Sequence, residues 1–227
     1  MTITTQISRI RNWNTINSNT RQIYKSRLPC LKPADKVVIG IDLAGRAENP
    51  TGIALWKSAR VKSLVIYSDE EILDCVFKNK PALIAIDAPL SFPKEGILRA
   101  AEKERTRRGY RVFPPALSSM KMLTKRAKKL NKLIAEKGYK TIEVHPTSTR
   151  KALGMPLKDW SQIQAAFKNL RLKGLRAKSP FSCHEIDAIT AALTAHLHTQ
   201  NKTEAVGNEQ EGYVVIPKEC NWKTLQL

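Results

Sequence analysis

The chain has 227 residues, enough for one domain with a proper core, and its 42% apolar content is that of a foldable protein rather than a disordered one. No run approaches the roughly 18–20 apolar residues that span a bilayer, and no secretory signal opens the chain, so a soluble cytoplasmic protein is expected. Thirty-nine Lys and Arg against twenty Asp and Glu give a formal charge of +19, a field that attracts polyanions, and nucleic acid is the expected partner.

Residues 1–34 contain Arg9, Arg11, Arg21, Lys25, Arg27 and Lys32 and no acid. They form a basic, flexible arm by composition, suited to a phosphate backbone. The domain is expected to run from 35 to 219, leaving 220–227 as a tail. Residues 37–42 make a β-branched run ending in Asp42, the pattern of a buried strand. Gly45 and the Asn49-Pro50 pair mark a turn. Two more strands, 52–56 and 61–67, follow with a hairpin-length link. An amphipathic helix over 69–78 places Ile72, Leu73, Val76 and Phe77 at helical spacing. Residues 82–87 are a fourth strand, ending in Asp87.

A polar insertion over about 94–138 holds two helices separated by Gly109 and Pro114-Pro115. Thirteen basic residues lie between Arg99 and Lys137, against Glu102, Glu104 and Glu136. Arg105, Arg107, Arg108, Arg111, Lys125, Arg126, Lys128 and Lys129 are the expected nucleic-acid contacts. Tyr110 and Phe113 flank Arg111, as in surfaces that combine phosphate contact with base stacking. Residues 141–144 form a short fifth strand containing Glu143 and closed by His145-Pro146. A basic helical stretch follows, then a strong helix over 182–198 and a last edge strand at 213–217. The cysteines, Cys30, Cys75, Cys183 and Cys220, lack C-x-x-C spacing and are expected to be thiols rather than zinc ligands.

Three strands therefore run apolar residues into one carboxylate each: Asp42, Asp87 and Glu143. Each alone is as well explained by a loop cap or an arginine partner. Three together point to a shared site, because strand ends in α/β sheets are where ligands bind. On the 182–198 helix, Ser182 and Glu185 have capping-box spacing, which gives Glu185 a structural task. Asp187 is left over. Ala188, Ala191, Ala192 and Ala195 behind it let the helix lie close to the sheet.

These strands and acids resemble the ribonuclease-H-like superfamily. The segments carrying the resemblance are Gly40 to Ala44, Ala85 to Leu90, Arg111 to Pro115, Ile142 to Pro146 and His184 to Ala188. More closely, the chain is similar to domain of unknown function 429, a family catalogued as predicted nucleases. The resemblance implies a mixed five-stranded sheet of order 3-2-1-4-5 flanked by helices, with the basic helical insertion between strands 4 and 5. It implies that Asp42, Asp87 and Asp187 are the catalytic acids; by its chemistry Glu143 is expected to complete the shell or bind a metal-bound water, and His184 or His145 to position the nucleophile or assist proton transfer. It further implies Mg²⁺ or Mn²⁺, as two ions, and a nuclease hydrolysing phosphodiester bonds. The competing expectations are a non-catalytic nucleic-acid-binding module of the same fold and an actin-like ATP-using enzyme. The single glycine after the first strand and the short chain weigh against the latter.

Overall fold

The computed structural model describes residues 36–175 and 180–227; the N-terminal arm, Cys30, Arg176 and Lys178 lie outside the described residues. Among the described residues one seven-stranded sheet forms, in the order β3-β2-β1-β4-β5-β7-β6. The strands are β1 Val38–Asp42, β2 Thr51–Lys57, β3 Arg60–Ile66, β4 Leu83–Asp87, β5 Thr141–Val144, β6 Thr203–Asn208 and β7 Gly212–Pro217. β2 is antiparallel to both β1 and β3, whereas β4 is parallel to β1, β5 to β4 and β7 to β5. The 3-2-1-4-5 portion is the ribonuclease-H-like arrangement. The sheet does not stop there, and residues 213–217 are not its edge: β7 adds beside β5, and β6 pairs antiparallel on its far side.

Six α-helices accompany the sheet among the described residues: α1 Asp69–Asn79, α2 Ala100–Arg107, α3 Ser118–Glu136, α4 Pro146–Ala152, α5 Trp160–Asn169 and α6 Cys183–Thr199. None is long and apolar enough to cross a membrane. Side-chain alternation divides the core into two layers. Val38, Ala54, Trp56 and Ala85 face α6, whereas Ile39, Ile41, Ile53, Ile84 and Ile86 face the layer that holds Ile72 and Val76 of α1 and Ala127, Leu130 and Ile134 of α3. A smaller cluster packs Ala101 of α2 and Tyr110 against Val206, Val214 and Ile216. Trp222 is buried against the first layer, with Leu225 and Leu227 packed beside it.

The approach of α6 to the sheet sets the site. A Cβ on Gly40 of β1 would stand 2.1 Å from Ala188 O and 2.3 Å from Ala192 N, and one on Gly52 of β2 would stand 2.0 Å from His184 O. Only glycine at both positions lets the helix backbone sit on the strands. Ala188, Ala191, Ala192 and Ala195 are all fully buried there. Ser182 caps α6 in a reciprocal box with Glu185, which also accepts from Ser63 Oγ of β3 at 2.9 Å. The first turn of α6 is thereby fixed beside the end of β1.

Candidate active site

Asp42 and Asp87 are in register, as the last residues of the neighbouring parallel strands β1 and β4. Their backbones are about 4.8 Å apart and both side chains project toward the α6 side. His184, in the first turn of α6, reaches Asp42: Nδ1 lies 2.7 Å from Oδ2. That hydrogen bond, with the charges of Asp42 and Asp187, raises the His184 pKa above its ordinary value against the effect of burial. Asp187, one turn further along α6, is paired with Arg150 of α4. Arg150 also donates to Thr190 Oγ1 at 3.3 Å.

Asp87 is the least compensated acid. It makes no hydrogen bond or ion pair among the described residues, and its pKa stands well above the usual carboxylate value. Desolvation is the main cause, then the charges of Asp42 and Asp187; Arg105 and Arg150 only partly offset them. Burial also raises Asp187, with Arg150 pulling the other way. Three acids therefore share one electrostatic environment, in which Asp42 and Asp187 have protein partners and Asp87 has none among the described residues.

Glu143 lines one cavity with Asp42 and Asp87 but is held differently. It pairs in register with Ile86, not with Asp87, so it projects from the opposite face of the sheet. Arg99 donates to both of its oxygens, at 2.8 Å to Oε2, and the amide of Leu90 donates to Oε2 at 2.7 Å. Arg99 simultaneously holds Glu102 through Nε at 2.9 Å and a terminal nitrogen at 2.7 Å. Glu143 is thus the centre of a buried ion-pair cluster that forms part of the cavity wall.

His145 caps α4, its Nδ1 lying 2.8 Å from Ser148 Oγ. Burial, with Arg105 and Arg150 nearby, pushes its pKa down to about 3, so it is neutral and serves the fold.

A cavity of about 200 Å³ opens at these strand ends, lined among others by Asp42, Asp87, Arg105, Phe113 and Met120. Phe113 is 68% exposed at this cavity. Tyr110, expected with it as a stacking surface, is instead buried beneath Lys151 Nζ, 4.9 Å from the ring centre.

The eight expected nucleic-acid contacts divide. Arg107, Arg108, Arg111, Lys125, Lys128 and Lys129 are exposed. Lys121, Lys125, Lys128, Lys129 and Lys132 run along one side of α3 at helical spacing. Arg126 is not part of that surface. It is 9% exposed, and its guanidinium donates to Ala44 O, Arg46 O, Tyr67 O and Asp69 Oδ1 at 2.7–3.0 Å. It pins the loop that follows Asp42. Arg105 is also buried, beside the cavity.

The donor set fits a hard divalent cation in its chemistry. Two carboxylates stand side by side, one has no protein partner, and a third lies close behind Arg150. Among the described residues, however, no three His, Cys, Asp or Glu side chains are already grouped around one point as ligands. Asp187 would have to leave Arg150 to become the third.

The chain resembles two solved structures of modest likeness. Thermus thermophilus RuvC in complex with a Holliday junction substrate has 16% identity and a TM-score of 0.47, covering 73% of this chain and 96% of that one. A second Thermus thermophilus RuvC structure has 15% identity and a TM-score of 0.44, with the same coverages. No curated protein matches the chain. The model of the family described as "Protein of unknown function (DUF429)" matches residues 40–212. That stretch runs from Gly40, beneath α6, through Asp42, Asp87 and Asp187 to the start of β7, and the chain belongs to this family.

Proposed function

We propose that the protein is a divalent-metal-dependent nuclease that hydrolyses phosphodiester bonds in nucleic acid. The observation that carries this reading is the in-register pair Asp42 and Asp87, with Asp87 desolvated, unpartnered and pressed by two neighbouring acids. Such an arrangement is costly for a protein that never binds a cation. Asp42 and Asp87 would hold Mg²⁺ or Mn²⁺, with Asp187 joining once released from Arg150. A cation bound there supplies Lewis-acid polarisation of the phosphoryl group and activation of water.

His184 is anchored at Nδ1 by Asp42, which leaves Nε2 to take up or return a proton. The exposed lysines of α3 would bind the phosphate backbone without regard to sequence, and Phe113 offers a face on which an unpaired base could stack. A second reading, a binding module of the same fold, is favoured by one observation: Arg150 and Arg99 already satisfy Asp187 and Glu143.

Cleavage of labelled single- and double-stranded DNA and RNA, a hybrid and a four-way junction separates the two. Metal-dependent cutting lost in Asp87→Asn is expected. Salt-sensitive binding without cutting, equal in wild type and variant, would establish the binding module.

A further inference from the structure

The cavity at the ends of β1 and β4 holds one arginine among four carboxylates, Asp42, Asp87, Glu102 and Glu143. Arg105 of α2 lines it and is only 4% exposed. Its neighbour Arg99 is a fully satisfied arginine: Nε and both terminal nitrogens are bonded to Glu102 and Glu143, and they occupy all four carboxylate oxygens. Arg105 is left with little. One hydrogen bond reaches Ser148 Oγ at 3.4 Å, the ion pair with Glu102 spans 3.8 Å, and Nε has no partner. The Glu102 distance is too long for a hydrogen bond.

A second arginine beside two glutamates does balance charge. Charge balance does not explain the geometry, because a side chain placed for neutrality would also take the available hydrogen bonds. A buried donor left unpaired is destabilising. Arg105 lines the same cavity as Asp42, Asp87 and His145. The terminal nitrogens of this planar guanidinium, held only by long contacts to Ser148 and Glu102 at the wall of a small polar cavity, match a tetrahedral oxyanion.

We propose that Arg105 is the phosphate-binding residue of this cavity, taking non-bridging oxygens of a phosphoryl group brought against Asp42 and Asp87. The proposal rests on the phosphodiester reading of the site and names the group that would fix the anion there. A cavity of about 200 Å³ has room for a phosphoryl group.

The test uses the full chain in chelator, so that no metal contributes, and follows the arginine Nε–H signals by NMR. The Arg105 signal is assigned by its loss in Arg105→Lys. Orthophosphate is expected to shift that signal saturably, and Arg105→Gln is expected to weaken binding by at least about tenfold. Lys78→Gln, an exposed change on α1, should leave it unaltered. An oligonucleotide with a 5′-hydroxyl that shifts the signal identifies an internal phosphodiester as the ligand. A shift seen only with a 5′-phosphate identifies a chain end.

A signal that orthophosphate does not move overturns the proposal, and this holds even if Arg105→Gln fails to fold. Movement by orthophosphate but by neither oligonucleotide means an adventitious ion only, and also overturns it. Metal-dependent cleavage by Arg105→Gln with unchanged kcat and KM would remove this proposal and leave the nuclease reading intact. Phosphate held by Arg105 in a protein that cuts nothing would do the reverse.

Discussion

Adding one methyl group, in Gly40→Ala, should move α6. The new Cβ would meet Ala188 O at 2.1 Å and Ala192 N at 2.3 Å, both backbone atoms that cannot swing aside. Ordinary contact lies near 3.5–4.0 Å, so the helix must retreat by more than about 1 Å. Overpacking of this kind costs about 1–3 kcal/mol, and a clash with helix backbone belongs at the upper end. At about 3 kcal/mol, a chain of this size should lose roughly 6–12 °C in Tm. The retreat also separates His184 from Asp42, whose 2.7 Å hydrogen bond crosses the same interface. The raised pKa of His184 should then fall back toward its ordinary value. Thermal melts followed by circular dichroism, together with an NMR titration of His184, read both effects. A variant melting within about 2 °C of wild type, with the His184 titration unmoved, would refute the close packing of α6 on β1 and the placement of the site that depends on it.

Asp87→Asn should stabilise the metal-free protein at neutral pH. Because the folded state raises the Asp87 pKa, its contribution to stability is greatest below the unfolded value of about 3.9 and declines as pH rises through the folded value. Melts in chelator should show a higher Tm for the variant at pH 7, and Mg²⁺ should raise the Tm of wild type alone. His184 follows the same sign at higher pH: its stabilisation is complete below about pH 6.5 and is lost as pH rises through its raised value, so Asp42→Asn should flatten the pH dependence of Tm there. Arg126→Ala should cost about 2–4 kcal/mol in urea unfolding, since three carbonyls and Asp69 lose their buried donor. Lys125→Ala should leave folding unchanged and reduce the salt slope of nucleic-acid binding by about one. Equal unfolding midpoints for these two variants would remove the distinction drawn between them.

The in-register acids were legible because each strand ends on its carboxylate, and the small residues of α6 announced a close approach. Glu143 differs from them for a physical reason. Its strand continues one residue further, to Val144, so the two-residue alternation turns Glu143 to the other face, and only the register with Ile86 reveals it. β6 is hidden because Thr203, Glu204 and Asn208 carry little apolar signal and Gly207 adopts a positive φ of 129°. Nor does composition tell a solvent-facing arginine from a buried one. Arg126 sits beside Ala127 and Leu130 on the inward side of α3, and Arg99, Arg105 and Arg150 are buried with no motif to mark them.

The most direct test of the carboxylate site is anomalous diffraction from crystals soaked in Mn²⁺. A peak is expected within coordinating distance of both Asp42 and Asp87, and it should vanish in Asp87→Asn. Crystals of wild type that show no peak there, or show manganese bound only elsewhere, would contradict the assignment of these acids to a metal.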